Sequence, residues 1–284
     1  MKKVLIIGSK GMAGHVIYHF LRNETDFEII DIARDNDLHA PTYQLDVSEF
    51  KRMTSVLIEE MPDVVINCIG VLNKDAEDHP DKSVLLNTYL PHFLAQRGNE
   101  IGFKLIHIST DCVFSGQRGS YTESSEKDGK GFYAQTKSLG EVCYGRHLTL
   151  RTSIIGPELK DNGIGLFHWF MRQRGKLKGY TKAYWTGVTT LELAKAIIAA
   201  IRQDISGLHH LVNDSKINKY NLILLFKTVF SKREIEIEPF DDYTVDKSLI
   251  RTNRDFNYSV SSYEVMVEEM KNWIAKYPEL YKYS

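Results

Sequence analysis

Seven residues near the start of the chain, Gly8-Ser-Lys-Gly-Met-Ala-Gly14, restrict its folding more than any other segment. They follow a short apolar run, Val4-Leu-Ile-Ile7, and lead into His15-Val-Ile-Tyr-His-Phe-Leu21, whose apolar spacing is that of a helix lying on a sheet. Glycines at this spacing, between a buried strand and a helix, let the backbone turn sharply and approach a pyrophosphate whose charge is met by the helix N-terminus. Gly8, Lys10, Gly11, Met12 and Gly14 are therefore candidate dinucleotide-binding residues. A glycine-rich turn with no ligand is the plainer alternative, and the rest of the chain decides between the two.

Further apolar, β-branched runs follow at Glu28–Ile32, Val64–Ile69, Leu105–Ile108 and Leu148–Ile155. They alternate with helical periodicity at Phe50–Glu60 and at Lys82–Gln96, where Pro91 predicts a kink or break. Near-continuous apolar strands alternating with helices predict an α/β fold, a parallel sheet covered on both faces. After about Gly156 the pattern loosens into a Gly-rich, aromatic stretch. It tightens again into amphipathic helices at Thr190–Ile201, with a capping-box look at Thr189/Thr190 and Glu192, and at Ser262–Ala275. The expected division is a nucleotide-binding domain over residues 1–155 and a substrate-binding lobe over 156–284, with the helix near 189–203 packing back on the first domain. The tail after the last helix reads as surface, and no internal repeat is present.

At 284 residues, with 36 basic and 37 acidic side chains and a formal net charge of -1, the chain gives no global electrostatic reason to expect nucleic acid or an anionic membrane as partner. Its apolar N-terminal run stops after four residues, too short for a signal or a membrane span. Cys68, Cys112 and Cys143 form neither a disulfide framework nor a CxxC pair, so a reducing cytoplasm is the expected compartment. His15/His19 and His209-His210 lack HExxH or a cysteine cluster, and no metal is expected. Trp169-Phe170 and Tyr184-Trp185 read as lobe core, and Cys143 as a small buried hydrophobe on the helix carrying Tyr133.

The glycine loop gives meaning to residues that would otherwise be ordinary. At the end of the second strand, Asp31 can accept from an adenosine ribose 2′-hydroxyl, as NADH requires, and Arg34 can pair with the 2′-phosphate of NADPH. The expectation is NADPH, with Asp31 turned into the sheet and NADH the alternative. Asp46-Val47 falls near the adenine, and Cys68-Ile69-Gly70 ends a strand where a small, close backbone suits the cofactor. Tyr133 and Lys137, four residues apart on a helix, share a face, so the ammonium can favour the ionised phenol and make Tyr133 a general acid/base. In isolation such a pair marks only an exposed helix face. Ser109-Thr-Asp111 ends a strand upstream of it and can offer a hydroxyl to the same pocket, from Thr110 or, alternatively, Ser109.

With these residues in place the chain resembles the extended short-chain dehydrogenase/reductases, and within them the dTDP-4-dehydrorhamnose reductase family of sugar-nucleotide ketoreductases. The resemblance rests on the glycine loop, Asn67 to Gly70, Ile108-Ser-Thr-Asp-Cys-Val-Phe-Ser-Gly116, Tyr121-Thr-Glu123, Tyr133 to Lys137 with Gly140-Glu141, Leu150-Arg-Thr-Ser153 and Trp185-Thr-Gly-Val-Thr189. It implies a Rossmann-type, doubly wound parallel sheet with a smaller C-terminal lobe. It also implies a triad of Thr110, Tyr133 and Lys137 that reduces the C4 ketone of a nucleotide-linked 4-keto-6-deoxy sugar in polysaccharide precursor synthesis, and by fold analogy a homodimer. Asp111, Cys112, Ser153 and Arg172 fall at expected substrate positions, and Lys176, Lys178, Arg251 and Arg254 are further cations for a diphosphate. Two places where the family often carries an aromatic residue hold Cys112 and Ile154-Ile155, so dTDP- and UDP-linked sugars both remain open. The rival readings are an epimerase or dehydratase of the same superfamily and a non-catalytic regulator resembling the methionine adenosyltransferase β subunit. Cys112, standing where a dehydratase has the second member of a carboxylate pair, argues against dehydration.

Overall fold

The computed structural model describes residues 1–36 and 40–283. In chain order the first half comprises β1 (Lys3–Ile7), α1 (Met12–Glu24), β2 (Glu28–Ala33), β3 (Tyr43–Gln44), α2 (Phe50–Glu60), β4 (Val64–Asn67), α3 (Asn73–Asp78), α4 (Pro80–Ser83), α5 (Leu90–Ile101), β5 (Lys104–Thr110), α6 (Gly131–Leu139) and β6 (Leu148–Thr152). The second half adds β7 (Ile154–Ile155), α7 (Leu166–Met171), β8 (Gly175–Trp185), β9 (Val188–Thr189), α8 (Thr190–Gln203), β10 (Gly207–His210), β11 (Ile217–Asn218), α9 (Lys219–Val229), β12 (Ile235–Asp246) and α10 (Tyr263–Lys276).

Seven strands form one parallel sheet in the order β3-β2-β1-β4-β5-β6-β10. Alternation along β1 explains how it is covered. Val4 and Ile6 pack with Ile17 and Leu21 of α1 and Leu193 and Ile197 of α8, while Leu5 and Ile7 pack with Met53 and Leu57 of α2 and Leu90 and Leu94 of α5. The strand order reverses between β1 and β4, which opens a crevice beyond their carboxyl ends.

The expected helix at 189–203 does pack on α1, and Thr189 caps it, its Oγ1 accepting from the Glu192 amide at 3.2 Å. Beyond residue 155 the sheet gains one more strand, β10, beside β6. The run Leu148–Ile155 divides, because β7 leaves the main sheet and pairs with β9. The loosened stretch after 156 contains α7 and the long strand β8, which forms a small second sheet with β11 and β12.

Three expectations are corrected. Pro91 does not break its helix. Backbone from Ser83 to Leu90 stays right-handed helical, and the irregularity is a π-helical turn, Val84–Tyr89, just before the proline. The tail is not all surface, since the buried Tyr281 hydroxyl lies 2.8 Å from both His15 Nε2 and Trp273 Nε1, and the Tyr283 hydroxyl accepts from the Glu158 amide at 2.8 Å. Cys143 is exposed and lies past the end of α6. Among the described residues no helix is long and apolar enough to cross a membrane, and no group of three or more His, Cys, Asp or Glu could hold a metal ion.

Candidate active site

The glycine loop sits at the switch point. Gly8 has φ +84, and a Cβ there would fall 2.8 Å from Ile69 Cδ1; a Cβ on Gly14 would fall 2.0 Å from the Gly8 carbonyl oxygen. Gly14 therefore seats α1 against the loop rather than facing a ligand. Gly11 caps α1 without a side-chain hydrogen bond, and no acidic residue stands in the first turn, so the positive end of the helix is left for an anion. A cleft of about 700 Å³ opens there, lined by Gly8, Lys10, Gly11, Met12, Arg34, Asp46, Val47, Cys68, Ile69 and Gly70.

Asp31 does not line it. Its buried carboxylate accepts from Ser9 Oγ at 2.6 Å and from the amide and hydroxyl of Thr42 at 2.9 and 3.0 Å, tying the glycine loop to the chain beyond β2. Arg34 stands at the rim, its Nε 3.6 Å from Asp35 Oδ1 and its side chain 65% exposed. Asp46 accepts from the hydroxyl and amide of Ser48, bonds that hold its carboxyl below the usual range. A bare backbone cradle, an uncapped helix end, a sequestered Asp31 and a rim arginine together fit a dinucleotide carrying a 2′-phosphate.

Thr110 closes β5 at the cleft floor. Its hydroxyl accepts from the Cys112 amide at 3.1 Å and donates to Asp111 Oδ1 at 3.2 Å. Ser109 turns the other way and donates to Glu141 Oε1 at 2.7 Å, which leaves Thr110 as the hydroxyl facing Tyr133. Burial pushes the Tyr133 phenol above its ordinary range, Cys112 and Asp111 add to this, and a hydrogen bond with Thr110 opposes it. Lys137 Nζ donates to the Ile108 carbonyl at 2.7 Å and lies 3.3 Å from His107 Nε2, and burial brings its ammonium down to about 8.

A second cavity, about 460 Å³, adjoins the first across Cys112 and Tyr133 and is walled by Asn73, Glu77, Phe114, Lys130 and Lys247. Asp111, Cys112 and Ser153 line the cleft. Arg172 does not: it is bound to Asp161, with Nη2 3.1 Å from Oδ1. The other expected cations also stand elsewhere, Lys176 against Glu236 and Glu238 at 3.5 and 3.0 Å, Lys178 over the Phe240 ring, and Arg251 on the Tyr258 carbonyl, while Arg254 lines neither cavity. Lys130 and Lys247 line the second cavity, and Lys219, which lines neither, acts on Asp111 by its charge. Lys219 lies over the Trp185 ring, and burial brings its ammonium down to about 8 against the pull of Asp111. Asp111 in turn is pushed up by burial and drawn back by Lys247 and Lys219. Asn87 also went unforeseen. From the π-helical turn its Oδ1 accepts from the Val71 amide at 2.8 Å, and its Nδ2 donates to the Val71 carbonyl at 2.9 Å and Thr136 Oγ1 at 3.1 Å, bracing α6 against the cleft wall.

Known proteins share both sequence and fold with this chain. A dTDP-4-dehydrorhamnose reductase of Shigella flexneri is 27% identical over 74% of this chain and 72% of its own length, and methionine adenosyltransferase 2 subunit beta of Bos taurus is 23% identical over 86% and 77%. The fold is shared with a dTDP-4-dehydrorhamnose reductase of Bacillus anthracis solved in complex with NADP, at a TM-score of 0.82 and 20% identity over 96% of this chain and 99% of that one. The family model described as the RmlD substrate binding domain matches residues 1–272, and the chain belongs to that family, the dTDP-4-dehydrorhamnose reductase family of extended short-chain dehydrogenase/reductases.

Proposed function

We propose that this chain is an NADPH-dependent reductase of the C4 ketone of a nucleotide-linked 4-keto-6-deoxy sugar, working in the synthesis of cell-surface polysaccharide precursors. The observation that carries the reading is the meeting of the Thr110 hydroxyl and Tyr133 phenol between a dinucleotide cleft and a second cavity. Reduced nicotinamide, when bound, supplies hydride to the carbonyl carbon. Tyr133 keeps its proton at neutral pH because burial opposes the phenolate, so it holds the proton that the carbonyl oxygen takes up. Thr110 turns its hydroxyl from Asp111 to the same oxygen and steadies the charge developing there. Lys137 holds the phenol-bearing helix to β5.

The test is loss of reduced-nicotinamide absorbance with dTDP- and UDP-linked 4-keto-6-deoxy sugars in parallel. Turnover with either supports the reading and fixes the nucleotide. NADPH binding without turnover on both, together with co-purification of a synthetase, would favour the alternative of a non-catalytic subunit, methionine adenosyltransferase 2 subunit beta of Bos taurus being among the relatives.

Two smaller expectations follow from the site's cations. Arg34→Ala lowers the ratio of kcat/KM for NADPH over NADH by about 10- to 100-fold, the worth of one or two charge-assisted bonds to the 2′-phosphate. An unchanged ratio removes Arg34 from cofactor choice. Lys247→Ala raises KM for the sugar nucleotide about 10-fold with kcat nearly unchanged, as expected of a contact made equally in the ground and transition states. A fall in kcat alone would place Lys247 in the chemistry instead.

A further inference from the structure

His107 lies on β5, fully buried, directly across the parallel ladder from Asn67 of β4. The two side chains meet, Asn67 Nδ2 standing 3.2 Å from His107 Nδ1, and the other ring nitrogen, Nε2, stands 3.3 Å from Lys137 Nζ. The proton arrangement follows from one fixed donor. Asn67 Oδ1 accepts the Ile69 backbone amide at 3.1 Å, so Nδ2, which can only donate, is the atom facing the ring. His107 Nδ1 must then be the acceptor, and the neutral ring carries its proton on Nε2. That N–H points at Lys137 Nζ, which already donates to the Ile108 carbonyl at 2.7 Å. A neutral amine satisfies both contacts, donating to Ile108 and accepting from His107. An ammonium satisfies only the first and faces an N–H with the second. The opposite tautomer would relieve Lys137 but would set Nδ1–H against the Asn67 amide hydrogens, so one frustrated contact exists whenever Lys137 is charged.

We propose that His107, fixed in one tautomer by Asn67, is a positioning residue that holds Lys137 on β5 and favours its uncharged form. The groups that face this pair bear the proposal out. Lys137 is flanked by Cys68 at the end of β4, by Glu141 one turn along the chain and by Tyr133 one turn back; His107 also feels His92 from α5. Burial pushes the Cys68 thiol up to about 12 and the Tyr133 phenol higher still, so both remain protonated near neutrality. Burial likewise keeps His107 neutral, aided by the Lys137 charge. Glu141 is committed to Arg151 and Ser109. Lys137 is thus the member of this cluster whose charge is adjustable, and His107 is the neighbour on β5 that opposes it.

The inference rests on the reductase reading for its consequence but not for its measurement. Carbon-13 labelling of lysine Cε allows the Lys137 ammonium to be titrated by NMR in the whole protein, the signal being assigned by its loss in Lys137→Arg. His107→Asn keeps an acceptor for Asn67 and removes the donor facing Lys137; His107→Gln keeps a donor. The expected result is an upward shift of the Lys137 titration by about one pH unit in His107→Asn and a much smaller shift in His107→Gln. In the ketone-reducing direction, the alkaline limb of kcat/KM for NADPH, which reports the free enzyme, moves up by the same amount. A Lys137 titration that is the same in His107→Asn and wild type, or equally shifted in both variants, overturns the proposal. A shifted titration in a protein that reduces no sugar nucleotide leaves the role of His107 standing and removes the reductase reading.

Discussion

Tyr133→Phe lowers kcat and kcat/KM for ketone reduction together, by about 10²- to 10⁴-fold, with little change in NADPH binding. The substitution deletes one oxygen and keeps the ring, so α6, whose Ala134 and Thr136 are buried beside it, has no reason to move. What disappears is the proton held at the carbonyl oxygen. Thr110 remains and can donate to that oxygen, but a hydrogen bond to the oxygen is not transfer of a proton to it, which is why the residual rate stays far below wild type. Equal loss in both constants identifies an interaction made only in the transition state. Fluorescence titration with NADPH supplies the control: unchanged affinity with the rate reduced less than about 10-fold would show that another group supplies the proton, and the buried Asp111, whose carboxyl is pushed up, stands nearest in the chain to do so.

Much of this site could be read in advance because its first components are local. Gly8, Gly11 and Gly14 act within one βα turn, and Tyr133 and Lys137 within one turn of helix, so spacing along the chain stands in for distance in space. The parallel sheet was legible for a related reason: strands buried on both faces leave continuous apolar runs. The cations were misplaced because charge alone does not tell which lobe residue points inward. Arg172, Lys176 and Arg251 found partners close at hand, whereas Lys219 and Lys247, far from Asp111 along the chain, act on it only through the tertiary fold. Strand β8 was missed because its residues, Lys176, Lys178 and Lys182 among them, half face solvent and break the apolar pattern. Lys137 also carries contacts that no spacing rule could show, to the carbonyl of Ile108 and the ring of His107.

Arg151→Met destabilises the protein by about 3–5 kcal/mol near pH 8, the second large effect, because it strips a buried carboxylate of its bidentate partner and leaves it only the partly exposed Lys127. Both side chains of the Arg151–Glu141 pair are 1% exposed. Nε and Nη2 donate to the two carboxylate oxygens at 2.8 and 2.7 Å, Nη1 donates to His210 Nε2 at 2.9 Å, and the guanidinium lies over the Phe114 ring. These bonds engage all three guanidinium nitrogens and tie the chain after α6 to β6, one rung of the ladder before Thr110. Burial raises the Glu141 carboxyl, and the hydrogen bonds and charge of Arg151 more than reverse that, so its folded value lies below its unfolded one. The sign follows: in wild type this contribution is complete above the ordinary carboxylate range and is lost as pH falls through it. In Arg151→Met burial is opposed by Ser109, Lys127 and the charge of Lys137 without the bidentate arginine, so Glu141 is expected to titrate higher when folded than when unfolded, and the variant to gain stability as pH falls. The difference in Tm between the two proteins therefore narrows from pH 8 to pH 5. Glu141→Leu combined with Arg151→Met recovers a large part of the loss, since an apolar pair leaves no unpaired charge in the interior. A deficit that is constant with pH, or a double variant no more stable than Arg151→Met, would assign the cost to lost packing on Phe114 and not to the stranded carboxylate.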